Sequence, residues 1–336
     1  MHLRPFKYFR PTTLSEFFEI TDHYRSEDYV IMGAGTDILV KIKHRLIKPS
    51  VLISLRGIPE LKAIERKRQN IIIGAAINLR QIKESNLIKE LLPALSQAAG
   101  WVASPQIRNM GTIGGNICLD TRCLYYNQPE WICSFPPCFK RGGDKCHLVK
   151  KATRCHALFC ADTPPALLSL NAKLVIADSL NKKEISLSQF YKDDGLSCQN
   201  LSKNELLVAI KLSVRKKVMS AYKRFSLRGA IEFPMVGVAV CAPNAADGNI
   251  NGLRIAATGV QSQPIRLKSL ERHLQNKDPA DKEIMQRIET ELKKIKLIRH
   301  QGIPPSYKRE ILKVLIEQNI HDCVHKEGGN RDEASA

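Results

Sequence analysis

No stretch of this 336-residue chain approaches 18 consecutive apolar residues, the length at which a membrane-spanning helix becomes a candidate. The longest apolar run, Val236 to Ala242, is the size of one strand. The opening MHLRPFKYFRP lacks the apolar core of a secretory signal. A soluble, cytoplasmic protein with no membrane role is therefore expected. Aromatic residues make up only 6% of the chain, too few to suggest a base-stacking platform. Acidic residues are scarce, 33 against 52 Lys and Arg, for a formal charge of +19. The nine histidines show no metal-ligand spacing, and no internal repeat or low-complexity linker is visible. A hydrophobic fraction of 43% with 25% charged residues excludes a disordered chain. The length suffices for two or three domains with substantial cores.

Against these absences stand the basic excess and ten cysteines. A charge of this size points to nucleic acid, an anionic membrane or an acidic partner. Seven cysteines (Cys118, Cys123, Cys133, Cys138, Cys146, Cys155 and Cys160) fall between residues 118 and 160. Without an export signal, that density favours a metal or cluster site over disulfides or scattered free thiols. The pairs Cys118/Cys123, Cys133/Cys138 and Cys155/Cys160 lie at the upper edge of zinc-pair spacing. A long cysteine loop can equally wrap an iron–sulfur cluster. Lys140, Arg141, Lys145, Lys150, Lys151 and Arg154, opposed only by Asp144, would stabilise the anionic thiolates of either site.

Apolar periodicity gives an α+β chain. Thr13 to Glu16 fits a capping box opening a helix with Leu14, Phe17, Phe18 and Ile20 on one face. Strands are expected at 29–32, 51–55, 71–74, 173–177 and 205–212, and helices at 79–88, 91–99 and 164–170. Beyond residue 217, strands at 221–227, 235–241 and 253–257 form a three-stranded antiparallel sheet. Its last two strands are separated by the turn Ala246-Asp247-Gly248. Helices around 265–275, 279–295 and 306–322 follow. The expected domains are an α/β subdomain at 1–55, an α+β subdomain at 56–216, and a C-terminal domain at 217–325. A polar, frayed tail occupies 326–336.

Two glycine turns carry the binding chemistry. Gly33-Ala34-Gly35-Thr36-Asp37 lies between a strand and a helix start, where free backbone N–H groups suit a pyrophosphate. Position 38 is Ile, so the third glycine of a Rossmann fingerprint is missing. The second turn, Gly111 to Asn116 (GTIGGN), lies about 75 residues on; together the two could clamp both phosphates of one dinucleotide.

The run Gln106 to Asn116 (QIRNMGTIGGN), with Asp162-Thr163-Pro164-Pro165-Ala166-Leu167, resembles the FAD-binding subunit of the molybdenum hydroxylases. That is the xanthine dehydrogenase and carbon monoxide dehydrogenase group. The family's AGGTDLL flavin loop is similar to Gly33 to Leu39, with Ala34 in place of a glycine. The resemblance implies a two-subdomain FAD-binding fold of the PCMH (vanillyl-alcohol oxidase-like) type and a C-terminal flavoprotein domain. It implies that FAD is held by Ile31, Met32, Gly33, Ala34, Gly35, Thr36, Asp37 and Ile38. Gly111, Thr112, Ile113, Gly114, Gly115 and Asn116 would complete the phosphate and ribityl contacts. Asp162, Leu207 and Arg224, the last at a family lysine position, would add later ones. No catalytic residue is expected on this chain.

Between Asn116 and Asp162 lie 45 residues where most members have about a dozen. This insert, spanning about 119–160, resembles the 4Fe–4S loop of the 4-hydroxybenzoyl-CoA reductase β subunit. That likeness implies Cys123, Cys138, Cys146 and Cys155 as cluster ligands, with Cys133 the rival to Cys138. It further implies an electron-transfer subunit working with a molybdopterin large subunit and a small subunit carrying two 2Fe–2S centres. Ferredoxin would be the electron donor and a dimer of heterotrimers the assembly, with no nucleic acid. Two alternatives stand beside it: a flavin subunit of a xanthine or aldehyde dehydrogenase using NAD, and a zinc-bearing, basic nucleic-acid-binding protein.

Overall fold

The computed structural model describes residues 3–214, 216–243, 250, 252–275, 277, 283–299 and 302–325. The expected turn at 246–248 and the tail from 326 lie outside the described residues. Three sheets divide the chain. The first is parallel, from β1 (Lys7–Phe9), β2 (Tyr29–Met32) and β3 (Val51–Ser54), in the order β1-β3-β2. β3 is central and buried along its whole length. Helix α1 (Leu14–His23) packs Phe17 and Phe18 under this sheet. Its cap differs slightly from the expected box, because the Glu16 carboxylate accepts from the Thr12 N–H rather than from that of the N-cap, Thr13. Helix α2 (Ile38–Lys43) follows the first glycine loop.

The second sheet is antiparallel, in the order β4-β5-β8-β6-β7. Its strands are β4 (Ile64–Lys67), β5 (Asn70–Gly74), β6 (Lys173–Ala177), β7 (Lys182–Ser186) and β8 (Leu206–Ser213). The helix expected at 79–88 is two helices, α3 (Leu79–Glu84) and α4 (Asn86–Leu91). Ser85 interrupts them, and its hydroxyl caps α4 by accepting from the Ile88 N–H. Then come α5 (Pro93–Trp101), α6 (Pro105–Met110), α7 (Ile113–Ile117), α8 (Thr163–Ser169) and α9 (Leu187–Phe190). Between α7 and α8 the insert forms only one helical turn, Phe139–Arg141, and an isolated bridge from Arg122 to Leu158. Pro129, Pro136, Pro137, Gly142 and Gly143 punctuate it, which prevents longer elements.

The third sheet has four strands, not the expected three. β9 (Met219–Phe225), β10 (Val236–Ala242) and β11 (Arg254–Thr258) are joined by β12 (Ile265–Arg266) in the order β12-β11-β10-β9. β12 contributes only two residues, too few to show a period, and takes the start of the segment expected to be helical. The helix there is α10 (Lys268–His273). Helices α11 (Glu283–Lys293) and α12 (Pro305–His325) cover the sheet. Among the described residues no helix is long and apolar enough to cross a membrane.

The C-terminal domain clasps the end of the insert. The Phe159 N–H donates to Gln261 O, and Phe159 O accepts from Gly259 N–H and from the Thr258 hydroxyl. Beneath this clasp lies Lys308, wholly buried, its ammonium donating to Gly259 O at 2.7 Å and Ile298 O at 2.9 Å. Burial pushes its pKa down to about 8, below the ordinary lysine value of about 10.4. Between these values the unfolded chain binds a proton that the folded chain releases, so stability gains from Lys308 as pH rises across that window. Urea unfolding of wild type and Lys308→Met at pH 7.5 and pH 10 is expected to show the difference moving toward wild type at the higher pH. A difference independent of pH would mean that Lys308 is no harder to charge in the fold than outside it.

Candidate functional site

The loop after β2 and the loop before α7 meet edge to edge. Thr112 forms an isolated bridge with Asn78 and caps α7, its hydroxyl accepting from Gly115 N–H at 3.0 Å. That hydroxyl also faces Gly33, where an added Cβ would stand 2.7 Å from Thr112 Oγ1. Gly35 has φ +86°, a backbone conformation that favours glycine; at Gly33 it is the Thr112 hydroxyl that a side chain would displace. Ala34, where the family pattern has glycine, is not among the residues with positive φ, so its methyl costs no backbone strain.

The two loops differ in what they offer a ligand. The backbone N–H groups of Ala34, Gly35 and Thr36 donate to no acceptor among the described residues. In the second loop, Ile113 N–H donates to Ile77 O, Gly114 N–H to Ala75 O and Asn116 N–H to Thr112 O. Asn116 Oδ1 accepts from the Thr163 N–H and hydroxyl. The first loop thus presents three adjacent free donors, while in the second the Thr112 N–H alone lacks an acceptor among the described residues.

Between them runs an open cleft with a cavity volume of about 220 Å³. All of Ile31, Met32, Gly33, Ala34, Gly35, Thr36, Asp37 and Ile38 line it, with Gly111, Thr112, Gly115 and Asn116. Leu79, Val102, Ala103, Ile107, Cys118, Leu119 and Phe233 complete the wall; these are apolar positions indistinguishable in sequence from core. A second hollow, of about 230 Å³, shares Gly33, Ala34 and Thr112 and carries Arg56, Lys62, Asn78, Gln81 and Asn109. Ile113, Gly114 and Leu207 lie outside the cleft; Ile113 and Leu207 are packed in the central core.

Asp162 and Arg224 also lie off the cleft wall, paired with each other. Asp162 opens α8 without capping it by its side chain. Instead its carboxylate accepts from Tyr222 Oη at 2.8 Å and Arg224 Nη1 at 3.2 Å. Burial raises its pKa to about 6, against the opposing pull of Arg224 and Tyr222. The Arg224 guanidinium lies over the Trp101 ring at 5.2 Å, and its buried Nε and Nη2 have no acceptor.

The insert builds a second, smaller cavity. Cys123, Cys138, Cys146 and Cys155 all line it, with Tyr125, Tyr126, Phe139, Lys140, Lys145, His147 and Ala157. Cys133 does not. Burial pushes the Cys155 thiol up to about 11 and raises Cys123 also. Among the described residues, no three His, Cys, Asp or Glu side chains are gathered closely enough to hold a single metal ion. Of the other cysteines, Cys118 lines the cleft between the two loops, and Cys160, Cys198, Cys241 and Cys323 are buried thiols.

The approach at Gly33 yields a test. Gly33→Ala is expected to push the two loops apart and weaken FAD binding at least tenfold, measured by quenching of flavin fluorescence. Unchanged affinity would show that the close approach is dispensable.

Comparison with known proteins fits this geometry. The model of the FAD binding domain in molybdopterin dehydrogenase matches residues 4–213. The model of the CO dehydrogenase flavoprotein C-terminal domain matches residues 220–322. The nicotinate dehydrogenase FAD-subunit of Eubacterium barkeri is 38% identical over 115 residues, which is 34% of this chain and 39% of that protein. The xanthine dehydrogenase FAD-binding subunit of Escherichia coli is 24% identical over 329 residues, 96% of this chain and 97% of that one. The solved carbon monoxide dehydrogenase of Hydrogenophaga pseudoflava contains a chain superposing with a TM-score of 0.78 at 22% identity, over 96% of this chain and 98% of that chain. Flavoprotein matches across both halves displace the zinc-bearing nucleic-acid-binding alternative, which predicted neither. This chain belongs to the FAD-binding medium subunits of the molybdenum hydroxylase family, the group of the CO and xanthine dehydrogenases.

Proposed function

We propose that this chain carries FAD and a 4Fe–4S cluster and passes electrons between them as one subunit of a 4-hydroxybenzoyl-CoA reductase-like molybdenum enzyme. The observation that carries the second half of this reading is the convergence of Cys123, Cys138, Cys146 and Cys155 on one cavity. These are residues separated by up to 32 positions in an insert without regular structure. Four thiolates are the donor set of a 4Fe–4S cluster, and Lys140 and Lys145 on the cavity wall would offset their charge.

For FAD, the free N–H groups of Ala34, Gly35 and Thr36 are the natural pyrophosphate donors. Arg56 and Lys62 in the adjoining hollow add positive charge for the same end. Val102, Ile107, Leu79 and Phe233 offer the apolar wall a flavin ring requires. The paired Asp162 and Arg224 stand behind it as a buried support rather than as a lining of the cleft. FAD supplies interconversion of one- and two-electron traffic; the protein supplies position and electrostatics.

The substrate-converting centre is proposed to lie on partner chains: a molybdopterin large subunit and a small subunit with two 2Fe–2S centres. Ferredoxin is the proposed donor, the assembly a dimer of heterotrimers, and reductive dehydroxylation of an aromatic acyl-CoA the proposed outcome. Protein purified without oxygen is expected to contain FAD and about four irons per chain. Cys146→Ser should lose most of the iron and keep FAD, while Cys133→Ser should keep both. Iron retained in Cys146→Ser would overturn the ligand set, and zinc in place of iron the cluster itself. Flavin oxidised rapidly by NAD⁺ and inert to ferredoxin would instead place the chain with the NAD-linked dehydrogenases.

A further inference from the structure

The cleft and the cysteine cavity are joined by a run of ion pairs that starts at Asp37 on the wall of the first and reaches Lys140 on the wall of the second. Arg122, immediately before Cys123, donates through Nη2 to Asp37 Oδ1 on the flavin loop. Its guanidinium lies over the ring of Phe233, 4.6 Å from the centroid, and Phe233 also lines the flavin cleft. Its backbone exchanges both hydrogen bonds with Leu158, at 2.7 and 2.8 Å, which ties together the two ends of the insert. A second line runs in parallel. Lys41, one turn beyond Asp37, pairs with Asp120, and Asp120 accepts from Lys140 at 2.6 Å. Lys140 lines the cysteine cavity and donates further to Gly195 O at 2.8 Å.

The lysines are nearly enclosed, with side-chain exposures of 7% for Lys41 and 5% for Lys140. A buried charge that loses its partner is costly, so the pairs resist separation. Either loop can therefore move only by breaking them or by carrying the other loop along. We infer that Arg122 is a positioning residue that couples the two cofactor sites: filling the cysteine cavity fixes Arg122, and Arg122 fixes Asp37 and the open flavin loop. Coupling of this kind is reciprocal, so bound FAD must equally favour the ordered cysteine loop. The inference rests on the proposed FAD and cluster sites and adds to them a thermodynamic link.

The test is a pair of FAD titrations on each protein, with and without iron and sulfide reconstituted into the cysteine cavity. In wild type, the loaded chain is expected to bind FAD at least fivefold more tightly than the iron-free chain. In Arg122→Gln this ratio should fall to within twofold. Arg122→Lys keeps the charge but loses the planar fork and the stacking on Phe233, so its ratio should lie between. Because each protein is compared with itself, a general loss of stability cancels. Should Arg122→Gln fail to fold, Asp37→Asn removes the same pair from the flavin side and should also flatten the ratio. A full ratio retained in these variants, or a wild-type ratio near one with both cofactors bound, overturns the coupling alone. A wild type that takes up FAD but no iron overturns the cluster reading and this inference together.

Discussion

Three cations enclosed at one junction, Arg122, Lys41 and Lys140, require carboxylates, and the chain supplies Asp37 and Asp120 from opposite sides. Burial alone would raise the Asp120 pKa, yet Lys140 and Lys41 hold it below the ordinary carboxylate value. The insert has almost no regular hydrogen bonding of its own. Its placement therefore comes from this junction on one side and from the clasp of Phe159 by the C-terminal domain on the other. With both ends tied, four distant cysteines have a common cavity to face.

The same junction changes the meaning of the charge. An excess of +19 first suggests an anionic polymer. One-to-one pairs such as Asp162–Arg224 leave that excess unchanged, whereas at the junction three cations share two carboxylates, so one positive charge of the excess lies there. Another part lies along the insert, beside the cysteine cavity that Lys140 and Lys145 line. The two glycine turns also prove unequal. The first presents free N–H donors; the second spends its own on Ala75, Ile77 and Thr112, and serves as the surface against which the first is set.

The central strands were legible because they are apolar runs: Val51 to Ser54, Ile71 to Ile73 and Val236 to Ala242 are buried by any arrangement that forms a core. The four strands without a sequence signal, β1, β4, β7 and β12, all lie at sheet edges. An edge strand pairs on one side only and tolerates charge on its exposed face, so sequences such as IERK and KKEIS carry no strand pattern. The break at Ser85 was hidden for a different reason. Its flanks are both helical in period, and only the cap geometry shows that the chain restarts there.

The sequence by itself determined the glycine loops, the family motifs and the separation of the cysteines into an insert, because each is a local pattern of residue types. It left Cys133 and Cys138 as rivals, and could say nothing of Phe233, more than a hundred residues beyond the loops it faces. Tertiary structure alone decided that Cys138 turns inward, that Asp162 meets Arg224, and that Arg122 reaches Asp37 across 85 positions. Such choices depend on which buried charges and surfaces can be satisfied together, and that balance exists only once the separate elements are packed.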